Sequence, residues 1–366
     1  MKPTLRTEDM RSYLAASPWR RRPETWRGAT LWDHPGGGTA LVPPHDDFDD
    51  AAERANDLLR ILSTVENRPP EEIARDIASP MVDTQAYRVL PPGLPSGELN
   101  LLHGSAVFTA VTDLYAYSAR AVDIGHRPAY HGKRSKEITA RLSGIRLATP
   151  TAGSYTVNVR VPVTPSQPGA GNNTADGERP VVAQLNRAIR AIHIATRRIA
   201  DSGDVTTFDT TVTDGASANL CEALAKLSIE NTSFDVRFRW ARGVPGPRSP
   251  ETIRFPEHAG DILKEGAKRL EQLSTRGNAT LTGTISELIH RPATNDRWRI
   301  KISGELQQEG YEGTETDTLW AQLTAPDYQI AAAAHIEERQ VRVRGRYETV
   351  GKRRQITVPT GGVEVL

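Results

Sequence analysis

The last ninety or so residues constrain the fold more than any other stretch. From Ala279 to Leu366 strand-like runs alternate with one short helix in the order β-β-β-α-β-β. The period-two runs are Ala279–Leu288, Trp298–Leu306 and Thr318–Thr324, then Val341–Tyr347 and Gln355–Val358, with Val363–Leu366 beyond. Pro326–Glu337 supplies the helix, with Asp327 early in its first turn. A three-strand meander, a helix before the fourth strand and a closing hairpin favour a small five-stranded barrel over a sandwich. Gly283, Gly304 and Gly345 sit inside strand patterns, where a small barrel needs bends or bulges.

This is the order of the oligonucleotide/oligosaccharide-binding (OB) kind of barrel, whose loops and sheet face bind single strands. The last hairpin is its most basic part. Arg339, Arg342, Arg344 and Arg346 lead into Lys352, Arg353 and Arg354, with Glu348 the one acid inside the stretch. Arg342, Arg344 and Arg346 share a face by period two and leave Val341 and Val343 for the core. A row of cations suits phosphates, and Trp298, Tyr311, Trp320 and Tyr347 can stack on bases. The blander reading is that the outer face of any barrel strand must be polar. Glu309, Glu312, Glu315 and Asp317 also offset the charge of the module. The expected nucleic-acid contacts are Arg342, Arg344, Arg346, Lys352, Arg353 and Arg354 for phosphates, and Trp298 and Trp320 for bases.

The rest of the chain divides at proline-rich joints. With 366 residues it has room for two or three domains. Residues 1–96 read as a small α+β unit, residues 97–276 as a mixed α+β middle region, and residues 277–366 as the barrel. In the first unit a helix is expected over Glu8–Ala16 with Thr7 as N-cap. A hairpin follows (Ala29–Asp33 and Thr39–Val42), then a helix from about Asp47 to Val65 and a short one from Pro69-Pro70. Pro91–Pro95 is the joint. The middle region starts with a long helix over Glu98–Val122 and a second from His131 to Arg141. Strands are expected over Ser154–Val161, Phe234–Trp240 and Thr252–Phe255, and helices over Val182–Ile199, Asp214–Leu227 and Glu257–Leu273. Residues 165–180 read as a mobile polar loop.

Charge and cysteine content exclude several classes. Lys+Arg is 46 against 45 Asp+Glu, so no global basic or acidic excess announces a partner. The single Cys221 rules out an internal disulfide and any multi-cysteine metal site, and it fits a reducing cytoplasm. No apolar run has signal-peptide or bilayer-spanning length, so a soluble, cytoplasmic protein without a membrane partner is expected.

Motifs for chemistry are sparse. There is no Gly-X-X-X-X-Gly-Lys-Ser/Thr, and Gly36-Gly37-Gly38 joins two strands rather than a strand to a helix. His34, His45, Asp46 and Asp47 could serve a metal-dependent hydrolase but lack standard ligand spacing, and acids at a helix start answer to its dipole. Ser105, Asp113, His126 and His131 lack the elbow a serine hydrolase needs. Cys221 lies at an apolar helical position. Arg187, Arg190, Arg197 and Arg198 line one helix opposite its apolar stripe, a solvated face or a phosphate groove. Trp19-Arg20-Arg21-Arg22, Trp26-Arg27 and Trp32 form a second basic–aromatic cluster, unless the tryptophans are simply core. The helix–hairpin–helix order resembles small dsRNA-binding-like toxin domains, but Gly28-Ala29-Thr30 stands where those carry a catalytic histidine. No metal, cofactor or catalytic residue is therefore assigned.

At Ala218–Leu224, at Asp327–Ala331 and at Val341–Gly345, with the Tyr13-Leu14…Trp19 opening, the chain resembles a family of uncharacterised actinobacterial proteins. The resemblance implies a bacterial protein with a separate C-terminal barrel, in a defence or mobile-element setting, and no established activity. The expectation is a non-enzymatic protein that binds single-stranded nucleic acid through the barrel. The alternatives are a scaffold or regulatory subunit whose barrel docks a protein partner, and a metal-dependent hydrolase around His45.

Overall fold

A computed structural model describes residues 5–148, 155–163, 178–242, 244, 250–292, 297–351 and 353–366. The expected loop over 165–180 lies outside the described residues except at its end, where Arg179 and Pro180 already belong to a helix. Among the described residues no helix is long and apolar enough to cross a membrane.

The N-terminal unit runs α1 (Thr7–Ala15), β1 (Arg20–Trp26), β2 (Ala29–Asp33), β3 (Thr39–Val42), α2 (Ala51–Glu66) and α3 (Pro70–Ile77). Its antiparallel sheet has the order β1-β2-β3. Trp19, Trp32, Leu58 and Ile73 are buried in its core. Thr7 is the first helical residue rather than the cap; Arg6 holds that position without a side-chain bond. The Thr7 N–H donates instead to the Asp46 carboxylate at 2.5 Å, so a distant acid meets a donor that a local one was expected to meet.

The middle region contains β4 (Val82–Val89), α4 (Leu101–Ile124), α5 (Lys136–Gly144), β5 (Arg146–Ala148), β6 (Tyr155–Pro162), α6 (Arg179–Ser202), α7 (Ala218–Leu227), β7 (Phe234–Arg239), β8 (Glu251–Phe255) and α8 (Ala259–Ser274). The strands form one antiparallel sheet in the order β5-β6-β4-β7-β8. Its central strand, β4, precedes the Pro91–Pro95 joint, so that joint does not divide the two regions. One sheet face, carrying Tyr87, Val159, Val236 and Phe255, packs against the helices. The opposite face carries Arg88, Asn158, Arg160, Arg237 and Arg239.

The C-terminal barrel is closed, as expected. β9 (Asn278–His290), β10 (Trp298–Gln308) and β11 (Glu315–Gln322) make the meander. After α9 (Ala325–Ile336) come β12 (Val341–Val350), β13 (Arg353–Thr357) and β14 (Val363–Val365). β9 pairs β10 and β12, β11 runs parallel to β13, and β13 pairs β12, which closes a five-stranded ring of the OB-like kind. β14 pairs the first residues of β12. Gly283 and Gly304 face each other across β9 and β10. A Cβ on either would run into the partner backbone, so this close approach is open only to glycine.

Candidate nucleic-acid interface

On β12, Val341, Val343 and Tyr347 are buried while Arg344 and Arg346 are exposed and Arg342 half-exposed, so the three arginines share the outer face as the alternation requires. They are not free of carboxylates. Arg342 and Arg344 reach Glu364 on β14 at 3.0 and 3.6 Å, and Arg346 reaches Glu348 at 3.7 Å. Such exposed pairs hold weakly in water and leave the cations open to a competing phosphate. Arg353 is exposed. Lys352 lies outside the described residues. Arg354 points the other way: it is paired with Asp317 at 2.6 Å and donates to the Tyr347 hydroxyl at 2.9 Å inside the barrel mouth. Its expected phosphate contact is therefore replaced by an internal one, because β13 turns alternate residues inward.

Trp298 and Trp320 stand on opposite sides of the barrel wall. Trp298 follows the inward parity of Ile300 and Ile302. Its ring lies 4.0 Å from His290 in a parallel stack and 4.9 Å from Tyr328 on α9, with the Arg297 guanidinium 4.8 Å away. That packing leaves the ring half-buried, set against the core at this end of the barrel. Tyr347 is buried. Trp320 is outward and half-exposed, with the buried Arg299 at 5.1 Å and Lys301, which also pairs with Glu287 at 2.7 Å, at 5.6 Å from its ring centre.

Register extends this patch across the wall. Lys301 pairs with Trp320, Trp320 with Gln355 and Gln355 with Glu348. In the adjoining row Arg299 pairs with Gln322, Gln322 with Thr357 and Thr357 with Arg346. Arg346 thus shares a continuous outer surface with Trp320, whereas Arg342 and Arg344 lie beside β9 and β14. Arg299 and Lys301 were missed in the sequence. Their period-two alternation with Ile300 and Ile302 was the signal.

Of the acidic residues expected to offset the barrel's charge, Glu309 and Glu312 are exposed. Glu315 and Asp317 are buried, and Glu315 pairs with Arg120 of α4 at 3.2 Å. Arg127 donates to the carbonyls of Glu312 and Gly313 at 2.9 and 2.7 Å. One end of the barrel is therefore docked on the middle region, and its outer face is not. In this junction burial raises the Glu315 carboxyl to about 7, against the pull of Arg120 and Arg127. Burial, aided by Arg354, Arg120 and Arg127, holds His131 down at about 3.

The remaining candidates are not brought together in one site. Trp19 and Trp32 are buried, and Trp32 donates its indole N–H to Thr30 at 3.1 Å. Trp26 is exposed under the Arg27 guanidinium at 4.9 Å, on the wholly exposed strand β1. Among the described residues no three His, Cys, Asp or Glu side chains group to hold a metal. Asp113 pairs with Lys226 and Arg134, and His126 meets Thr213 and Gln184, so neither joins Ser105 in a triad. Cys221 is buried and its thiol is pushed well up. Comparison with protein-family models, curated proteins and solved structures finds no match, and the actinobacterial resemblance gains no support from it.

Proposed function

We propose that this protein is an accessory protein that binds single-stranded nucleic acid along the outer face of β10, β11 and β13. The observation carrying the reading is Trp320, an outward indole flanked by Arg299 and Lys301 on a closed OB-like barrel. A base would stack on the indole while Lys301 and Arg346 track the backbone. This chemistry reads no particular sequence, since every base has a π-face.

The test uses the full chain and a fluorescently labelled single strand. Affinity should fall with salt, with a log–log slope of about −0.7 per phosphate contacted. Trp320→Ala should weaken binding about tenfold or more, from the ~1–3 kcal/mol of one base–aromatic stack. Arg346→Gln should lower the salt slope and Trp298→Phe should leave affinity unchanged. No binding at low salt, or equal binding by Trp320→Ala, sinks the reading.

A second reading, a scaffold or regulatory subunit for a protein partner, is favoured by Leu101 and Leu102 at the start of α4. They are 87% and 81% exposed, and Phe108 follows on the same helix. A stable co-purifying partner lost in Leu101→Glu would carry that reading.

A further inference from the structure

A second cleft lies far along the chain from the barrel, on the polar face of the middle sheet. One row of that face reads Asn158, Ala86, Arg237 across β6, β4 and β7. The outer two stand about 10 Å apart at two strand spacings. The methyl of Ala86 between them is too short to fill the space, so the row forms a hollow with a small floor and a polar group at each end. The chain closes over it: Asn67–Pro69 and the proline-rich segment Leu90–Glu98 form the other walls of a cleft of about 740 Å³. That is ample for a small-molecule ligand, whose pockets run from about 300 to 1,000 Å³.

Two features of the hollow point to what it takes. Asn158 is 8% exposed, and its side-chain amide nitrogen has no hydrogen-bond partner among the described residues. A buried donor left unmet costs stability unless something accepts from it. Around it, Arg88 pairs with Asp235, and Arg239 with Glu72 and Asp76. Arg237 forms no ion pair or hydrogen bond among the described residues. The cleft wall thus presents a guanidinium without a carboxylate, and across the row, just beneath its surface, lies an amide without an acceptor. Both ask for oxygen acceptors, and the guanidinium fork matches a phosphate in two parallel bonds.

We propose that this cleft is a binding site for a small phosphomonoester, with its phosphate on Arg237 and a second acceptor oxygen on the Asn158 amide. The site is separate from the barrel face and does not depend on its reading. It also gives the Pro91–Pro95 segment a purpose as a wall rather than a joint.

Calorimetric titration of the full chain with inorganic phosphate, AMP and adenosine at constant ionic strength tests this. Phosphate or AMP should bind, and adenosine at least about tenfold more weakly than AMP, the loss of a charge-assisted pair. Arg237→Gln should weaken AMP about tenfold or more. Asn158→Asp, nearly isosteric, should do the same by setting a like charge near the phosphate. Circular dichroism identical to the parent shows that the variants fold, and Lys268→Gln, on the exposed face of α8, should bind AMP normally. Absence of phosphate and AMP binding at millimolar concentration overturns the proposal, as does binding that survives in both folded variants or adenosine binding equal to AMP.

Discussion

Asp83 and Arg179 illustrate what a single side chain can hide from its own sequence context. Asp83 is fully buried and accepts from Arg179 at 2.6 and 3.2 Å and from the Ala241 N–H at 2.6 Å. Arg179 also donates to the carbonyls of Ala241 and Val244. Burial raises the Asp83 carboxyl against the pull of the Ala241 N–H and Arg179. Arg179→Met is expected to destabilise the protein by about 3–5 kcal/mol, because it strands a buried carboxylate. The double variant with Asp83→Leu should regain most of that. Urea unfolding decides it, and a single variant within ~1 kcal/mol of the parent would mean that the pair is not the fastening it looks to be. In the sequence Arg179 ends a polar, glycine-rich run. Nothing local tells it from loop, since its partner is 96 residues away.

At the scale of elements, the strands that were legible are those with polar residues on the wet side. β6, β7 and the barrel strands alternate in that way. β4 does not: its helix-facing side carries Asp83 and Gln85, held by Arg179 and by the Tyr115 hydroxyl at 2.6 Å. Buried polar residues invert the pattern, and the central strand of the middle sheet is unreadable for that reason. α5 was expected from His131 but begins at Lys136, where Ser135 accepts from the Ile138 N–H at 3.2 Å. The intervening residues bend instead against the barrel, with Gly132 at φ +75° and pressed on the Thr316 carbonyl. The barrel glycines were legible as bend sites, though not as a facing pair. Gly304→Ala forces a methyl into the β9 backbone and should cost about 1–3 kcal/mol. A thermal melt followed by tryptophan fluorescence reads it, and an unchanged midpoint would show that the wall can yield.

Across the whole molecule, the junction between barrel and middle region should make stability depend on pH in two opposing ways. The Glu315 carboxyl has a folded pKa raised from 4.5 to about 7. The folded state holds a proton that the unfolded chain releases, so this contribution is complete below about pH 4.5 and is lost as pH rises through 7. His131 is lowered from 6.5 to about 3, so its contribution falls as pH drops below 6.5. Glu315→Gln should therefore be less stable than the parent at low pH relative to its standing at pH 7, a swing of about 1–3 kcal/mol. Urea midpoints at pH 4.5, 5.5 and 7 measure it; parallel profiles for the two proteins would assign the titration to another group.

The sequence by itself determined the barrel, its strand order, the shared face of Arg342, Arg344 and Arg346, and most helices, because these rest on local periodicity and turn chemistry. Tertiary structure alone decided which of those side chains lie open at the surface. Arg354 and Trp298 face inward, Glu315 and Asp317 are buried with Arg120 and Arg354 as partners, and Arg299 and Lys301 come to flank Trp320. The pairing of Asn158 and Arg237 across Ala86 belongs to the same category. Period two fixes a residue's side of its own strand, but which strands lie alongside, and what covers them, depends on contacts between residues far apart in the chain.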